Sequence, residues 1–291
     1  MSTQRILSAF VLAGCGGPRA HTDAAHDVVV VDALPTCDVT KPFGPPVLVS
    51  GINTSGAERS GWLSTDALTI WFAAASIGAS DRNLFVATRA SVAESFSNVM
   101  PLVGVNTSMY DEDHPSFTDD GLEMFLQAGG LEVHHSIRTS TAEAFGAHTA
   151  VVNDSGVDRY PWITGDGLTL YFSSNRTGNP DLYRVTRPDR ATPFSVPEAV
   201  SELNTSTDEI APVVSSDGLE IFFGKYLGVG DIGVYRAIRA VPTDSFGPPI
   251  PVPELGVDGE NFPSWIAPNR CTLLYTRANG FLWDVWAATR T

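Results

Sequence analysis

Five related blocks of sequence follow one another between residues 42 and 291, at a period near fifty residues. Repeats of that length are supersecondary units that cannot bury a core alone and must stack on their neighbours. The third copy, Val157–Thr205, reads VDRYPWITGDGLTLYFSSNRTGNPDLYRVTRPDRATPFSVPEAVSELNT. Three landmarks recur in phase. A turn carries Asp66, Asp120, Asp166 and Asp217, with Asn269 in the degenerate last copy. The third strand of each copy ends at Arg89, Arg138, Arg187, Arg239 or Arg290, and seven positions later the first four copies carry Phe96, Phe145, Phe194 and Phe246. The fifth copy stops one residue after Arg290, ahead of its phenylalanine.

That piece is found at the other end of the repeats. Residues 42–54, PFGPPVLVSGINT, parallel 245–257, SFGPPIPVPELGV, and 193–205, PFSVPEAVSELNT. The N-terminal segment thus supplies an orphan fourth strand, and the last copy supplies three strands without a fourth. In a ring the two halves share one unit, and no capping repeat is required. Within each copy, runs such as LTIWF, LTLYF and LEIFF are aromatic and β-branched and are bounded by Gly, Asp and Asn turns. Asp-Gly suits a tight hairpin because glycine accepts positive φ. Four antiparallel strands in five copies predict an all-β fold, a five-bladed β-propeller closed by an N-terminal strand added to the last blade.

The repeat resembles the TolB-type, or PD40 (WD40-like), propeller repeat. The residues that carry the resemblance are a Pro-x-x-Ser-x-Asp-Gly-x-x-[Ile/Leu]-[Tyr/Phe]-Phe strand pair followed by Asp-[Ile/Leu]-Tyr-x-x-x-Arg. PWITGDGLTLYF with DLYRVTR, and PVVSSDGLEIFF with DIGVYRAIR, match it best. Copy two has LEVHHSIR in its third strand, copy one has Gly61 for the proline and Asp-Ala for Asp-Gly, and copy five has Asn-Arg-Cys. The resemblance covers 42–291. It implies the fold, and it makes an envelope protein or glycan the expected partner; propellers host binding and catalysis alike.

The first fifteen residues, MSTQRILSAFVLAGC, join a basic residue to a short apolar run and Leu12-Ala13-Gly14-Cys15. This is similar to a bacterial lipoprotein signal with its lipobox, with Cys15 as the lipidation site. Gly16 after the cysteine fits outer-membrane sorting. Residues 16–41 are small and polar for most of their length and read as a flexible tether. The expected location is therefore the bacterial cell envelope, with membrane contact through the lipid anchor alone. With Cys15 acylated, Cys37 and Cys271 remain. One precedes the orphan strand and the other lies in the blade that strand should join, so a ring-closing disulfide is expected, as an oxidising compartment permits. Net charge is −15, from 33 acids against 18 bases. This excludes a nucleic-acid footprint, and a soluble monomer is expected.

An acid stands before the first strand of every copy: Glu58, Glu112, Asp158, Glu209 and Glu260, with Asn261 the alternative in the last. Since first strands line a propeller's channel, these acids are expected around one mouth, with the Asp-Gly turns on the opposite face. A carboxylate ring can take Ca²⁺ or a cationic ligand, or supply a glycosidase pair. The competing reading is structural, each acid capping backbone N–H groups where the chain enters a blade. Arg59, Arg159 and Arg176 are candidate neutralisers. The turn Asp and the strand-three Arg fall at one edge of each blade and are expected to pair. Trp62, Trp162 and Trp265 share one strand position, suited to interblade packing or to stacking on sugars. His134-His135 alternates across a strand and makes a poor metal pair. The Asn-Thr-Ser runs at 53, 106 and 204 read as interblade turns. No nucleophile elbow, phosphate loop or HExxH is present. The loops between strands two and three are short and similar. These features favour a binding or scaffold module. The alternative is a carbohydrate-active enzyme, hydrolase or lyase, using carboxylates at the channel mouth.

Overall fold

The computed structural model describes residues 36–75, 81–108, 110–129, 132–152, 156–228, 230–256, 258–279 and 282–291. The segment read as a lipoprotein signal, Cys15 and most of residues 16–41 lie outside the described residues. The rest is a five-bladed propeller of four-stranded antiparallel sheets. Strand β1 (Val47–Leu48) comes first in the chain. Blade one is then β2 (Ala57–Leu63), β3 (Thr69–Ala75), β4 (Arg82–Thr88) and β5 (Ser97–Pro101). Blade two is β6 (Asp113–Phe117), β7 (Glu123–Ala128), β8 (Glu132–Ile137) and β9 (Thr149–Ala150). Blade three is β10 (Asp158–Ile163), β11 (Thr169–Ser174), β12 (Asp181–Thr186) and β13 (Glu198–Ala199). Blade four is β14 (Glu209–Val214), β15 (Glu220–Gly228), β16 (Asp231–Ile238) and β17 (Ile250–Pro251). Blade five holds β18 (Asn261–Ile266), β19 (Thr272–Asn279) and β20 (Leu282–Thr289), and its outer strand is β1. The inner strands β2, β6, β10, β14 and β18 each touch the next around the axis.

The three sequence landmarks form one device. In each of the first four blades the turn Asp accepts the N–H of the leucine two residues on: Leu68, Leu122, Leu168 and Leu219. The residue between them is left-handed. Gly121, Gly167 and Gly218 have φ of 66°, 77° and 69°, and Ala67 and Arg270 hold the same conformation at 57° and 61° without glycine's freedom. The strand-three arginine then donates Nε to the carbonyl of that left-handed residue, at 2.8, 2.7, 2.7 and 2.6 Å for Arg89, Arg138, Arg187 and Arg239. Its guanidinium lies over the phenylalanine ring seven positions later, 4.2–4.5 Å from the centroid. The expected Asp–Arg pairing within each blade is therefore corrected. The Asp is spent on the turn's own N–H, and the guanidinium reads the turn's carbonyl.

The fifth copy of this device joins the two ends of the repeat array. Phe43 bridges Arg290 in the sheet, and the Arg290 guanidinium sits 4.4 Å from the Phe43 centroid. Arg290 is fully buried and makes two bonds to Glu220 of blade four, at 2.6 and 3.2 Å. Strand β1 pairs antiparallel with β20, Val47 opposite Ala287 and Leu48 opposite Trp286. Cys37 and Cys271 form a disulfide with Cα atoms 5.6 Å apart. Cys271 occupies the position that half-buried Leu68, Leu122, Leu168 and Leu219 fill in the other copies, and there it is buried as the anchor of the staple.

Asparagines then lead the chain from blade to blade. The Asn106 side chain accepts the Leu84 N–H and donates to the Leu84 carbonyl, both at 2.9 Å, imitating one more strand residue. Asn204 does the same to Leu182, and Asn53 to Val285 across the closure. Two expected outcomes follow for denaturant unfolding. Phe43→Ala should cost about 3–5 kcal/mol, as for other buried phenylalanines. The double variant Cys37→Ser/Cys271→Ser should lose up to about 5 kcal/mol, since the bridge closes a loop of 234 residues. A midpoint unchanged in both variants would show that closure contributes nothing.

Candidate functional site

The ladder register settles the last acid. Glu58 and Asp158 stand one residue before Arg59 and Arg159, and Asn261 stands at that place before Phe262, so Asn261 takes the fifth position and Glu260 lies one residue upstream. Glu58, Glu112, Asp158 and Glu209 are all buried, with at most 3% exposed. Each is bound near its own blade's start. Glu58 accepts the Thr54 N–H and hydroxyl, Glu112 the Thr107 hydroxyl, and Glu209 the Thr205 N–H and hydroxyl. Asp158 is paired with Arg176 at 2.9 Å, and Glu209 with Lys225 at 2.9 Å. Glu260 is half-buried, and burial raises its pKa against the pull of Arg59. Among the described residues no group of three or more His, Cys, Asp or Glu side chains is placed to hold a metal ion.

The axis itself is closed by residues that sequence reasoning did not single out. Each of the first four inner strands has a bulge within its first few residues, where Ser60, His114, Tyr160 and Ala211 take left-handed φ of 50–58°. Glycine or proline follows each one: Gly61, Pro115, Pro161 and Pro212. The bulges turn side chains of three blades towards one another. The His114 ring is 4.3 Å from Tyr160 and 5.9 Å from Phe262, and Tyr160 and Phe262 are 5.9 Å apart. This contact among blades two, three and five plugs the channel. Beside it, Asp113 is fully buried between Arg59 and Arg82, with the Ser60 hydroxyl donating at 3.0 Å. Burial alone would raise the Asp113 carboxyl, but its cationic neighbours, Arg59 foremost, hold it well below the usual range. Burial depresses His114 to about 3, with Asp113 opposing and Arg59, Arg82 and Arg159 assisting.

On the side of the Asp-Gly turns the plug leaves a broad funnel of about 1140 Å³. Its floor is aromatic. Trp62 and Trp162 lie 4.5 Å apart, Trp265 and Phe117 complete the layer, and half-buried Trp71 and buried Tyr171 adjoin it. Its rim carries Asp66, Asp119, Asp120, Asp166 and Asp217, all exposed, with hydroxyls of Ser64, Thr118, Thr164 and Ser215 between them. Between floor and plug is a void of about 20 Å³, room for one water. Of the two expected roles the structure bears out packing: Trp62 and Trp162 lie against each other, and all three tryptophans are buried beneath the ring of carboxylates.

No protein-family model and no curated protein matches the sequence. Solved structures do match. TolB from Acinetobacter baumannii aligns at 20% identity and a TM-score of 0.52, over 82% of this chain and 55% of that one. This chain therefore spans little more than half of that protein. The catalytic domain of the Coprinopsis cinerea GH62 α-L-arabinofuranosidase aligns at 14% identity and 0.51, over 89% and 98%. A protein of unknown function from Dyadobacter fermentans aligns at 10% identity and 0.53, over 88% and 99%. These likenesses establish the propeller fold, which binding proteins and sugar-active enzymes share.

The plug carries a pH signature. In the unfolded chain His114 protonates near 6.5, and in the fold only near 3. Its contribution to stability is therefore complete above pH 6.5 and is lost as pH falls from there towards 3, because the unfolded chain takes up the proton first. Asparagine tolerates the left-handed conformation. His114→Asn should flatten the fall of unfolding free energy between pH 6 and pH 4 by about 1.4 kcal/mol per unit. Parallel pH profiles for the two proteins would exclude a buried neutral histidine.

Proposed function

We propose that this chain is a lipid-anchored binding module of the bacterial cell envelope and that the funnel on the Asp-Gly face is where its partner docks. The observation that carries the reading is the funnel itself: a concave, aromatic-floored bowl closed at its base, of the size that engages a peptide segment or an oligosaccharide. Its acidic rim favours a cationic or neutral polar partner and gives association a marked salt dependence. The Cys37–Cys271 disulfide fits an extracytoplasmic compartment. Attachment through Cys15 adds the membrane contact, outer-membrane sorting follows from Gly16, and the ring acts as a monomer.

The enzyme alternative requires two carboxyl groups free to flank one glycosidic bond. Glu58, Glu112, Asp158 and Glu209 are instead engaged by threonine, arginine and lysine at the blade starts, which supports binding over hydrolysis. Two measurements test the reading. Fatty-acid labelling in a bacterial host should mark the full chain and vanish in Cys15→Ala. Partners recovered from envelope extract or a glycan array should, once purified, bind wild type at least tenfold more tightly than Trp71→Ala, with both proteins equally folded by circular dichroism. Equal affinity for the two would place the docking surface elsewhere.

A further inference from the structure

We propose that the channel mouth opposite the funnel is a second binding site, which takes a carboxylate carried on an apolar body, with Arg159 as the residue that receives the anion. This goes beyond the reading of the funnel and rests on different residues.

The case begins with register. Arg59, Asp113, Arg159, Ile210 and Phe262 occupy the same position in the five inner strands, just before the place of the left-handed bulge. In blade one the arginine finds its anion at that position in the next blade, where Asp113 receives it. Blade three repeats the arginine, but the next blade offers Ile210 in place of an aspartate. Among the described residues the Arg159 side chain has neither a hydrogen bond nor an ion pair, and its Nε is buried without a partner. Arg59 also leaves its Nε without a partner, but its Nη2 reaches Asp113, and Arg82 and Arg176 are paired with carboxylates. Arg89, Arg138 and Arg239 hold backbone carbonyls instead, so a half-buried guanidinium with neither a carboxylate nor a carbonyl is a costly exception. Such exceptions concentrate where a ligand supplies the missing partner.

The surroundings define the rest of that ligand. Ile210, Ala211 and Phe262 form a separate apolar cluster at this mouth, with Tyr160, Ile232 and Trp283 packed against it. Phe262 and Trp283 are 5.5 Å apart; the Arg59 guanidinium, 5.7 Å from the Trp283 ring, is already paired with Asp113, while Arg159 directly precedes Tyr160 of this cluster and is close enough for its charge to act on the Tyr160 hydroxyl. A bare inorganic anion would leave that wall unused. A carboxylate on a hydrocarbon or aromatic body uses both, the carboxylate forming the two-pronged pair that guanidinium geometry favours.

Benzoate is the probe, with benzyl alcohol and inorganic phosphate as controls. Benzoate at tenfold excess over its dissociation constant should raise Tm by about 3–5 °C, and neither control should do so. Arg159→Gln should abolish the benzoate shift and also raise Tm of the protein without probe, because an uncompensated buried charge is gone. A structural role for Arg159 would lower it. Ile210→Asp, which rebuilds the blade-one arrangement, should silence the benzoate response by giving Arg159 an internal partner. The proposal is overturned if benzoate leaves wild type unmoved, if phosphate acts as well as benzoate, if Arg159→Gln keeps the response, or if that variant melts below wild type without probe.

Discussion

The fold depends on one contact repeated around the ring: a guanidinium laid on a phenylalanine face while its N–H groups hold the outer end of a hairpin turn. The contact ties together three parts of a blade that the meander alone would leave independent, the turn after the inner strand, the end of strand three, and the start of strand four. Four copies are local, formed within about thirty residues of chain. The fifth, Arg290 on Phe43, is formed between segments almost 250 residues apart. There the arginine is also most deeply buried and donates two hydrogen bonds to Glu220 of the neighbouring blade. The place with the greatest chain-closure entropy to overcome is therefore also the place with a buried ion pair, a covalent bridge and a two-stranded pairing.

Much of this was legible in the sequence because repetition separates signal from accident. Arg and Phe at a fixed spacing, an orphan segment matching the one the last copy lacks, and Cys37 facing Cys271 together read as a closed ring. The partners of those residues were harder to read. Spacing placed Asp and Arg at the same blade edge, and opposite charge suggested a pair, yet the turn's unsatisfied N–H and C=O compete for both side chains and win. The acids were read either as a ring around the channel mouth or as caps on backbone N–H groups at the blade entry; Glu58 and Glu209 do accept the Thr54 and Thr205 N–H groups, and with Glu112 they fall against the Asn-Thr segment that precedes the strand. Sequence had marked that segment as an interblade turn without connecting it to the acid. The bulge had no signal of its own, since serine, histidine, tyrosine and alanine share no preference for the left-handed region that would flag the site. The proline or glycine that follows was the only trace.

The two faces separate different kinds of chemistry. On one, carboxylates are exposed around tryptophans that pack on one another. On the other, carboxylates are withdrawn into the protein and arginines stand nearest the axis. The His114–Tyr160–Phe262 contact lies between the two faces.

The staple also determines how the ring carries load. Cys37 lies upstream of Phe43 and β1, and its partner Cys271 sits in the turn that opens β19, inside the sheet. Tension arriving along the chain from the N-terminal side crosses the sulfur–sulfur bond directly into the middle of blade five. The five residues that follow Cys37, then the Phe43 contact and β1, form a side branch off that line. The closing strand, whose few hydrogen bonds would otherwise be peeled one at a time, is spared the pull. In a reducing environment the same tension would run through β1 and open the ring at its weakest seam.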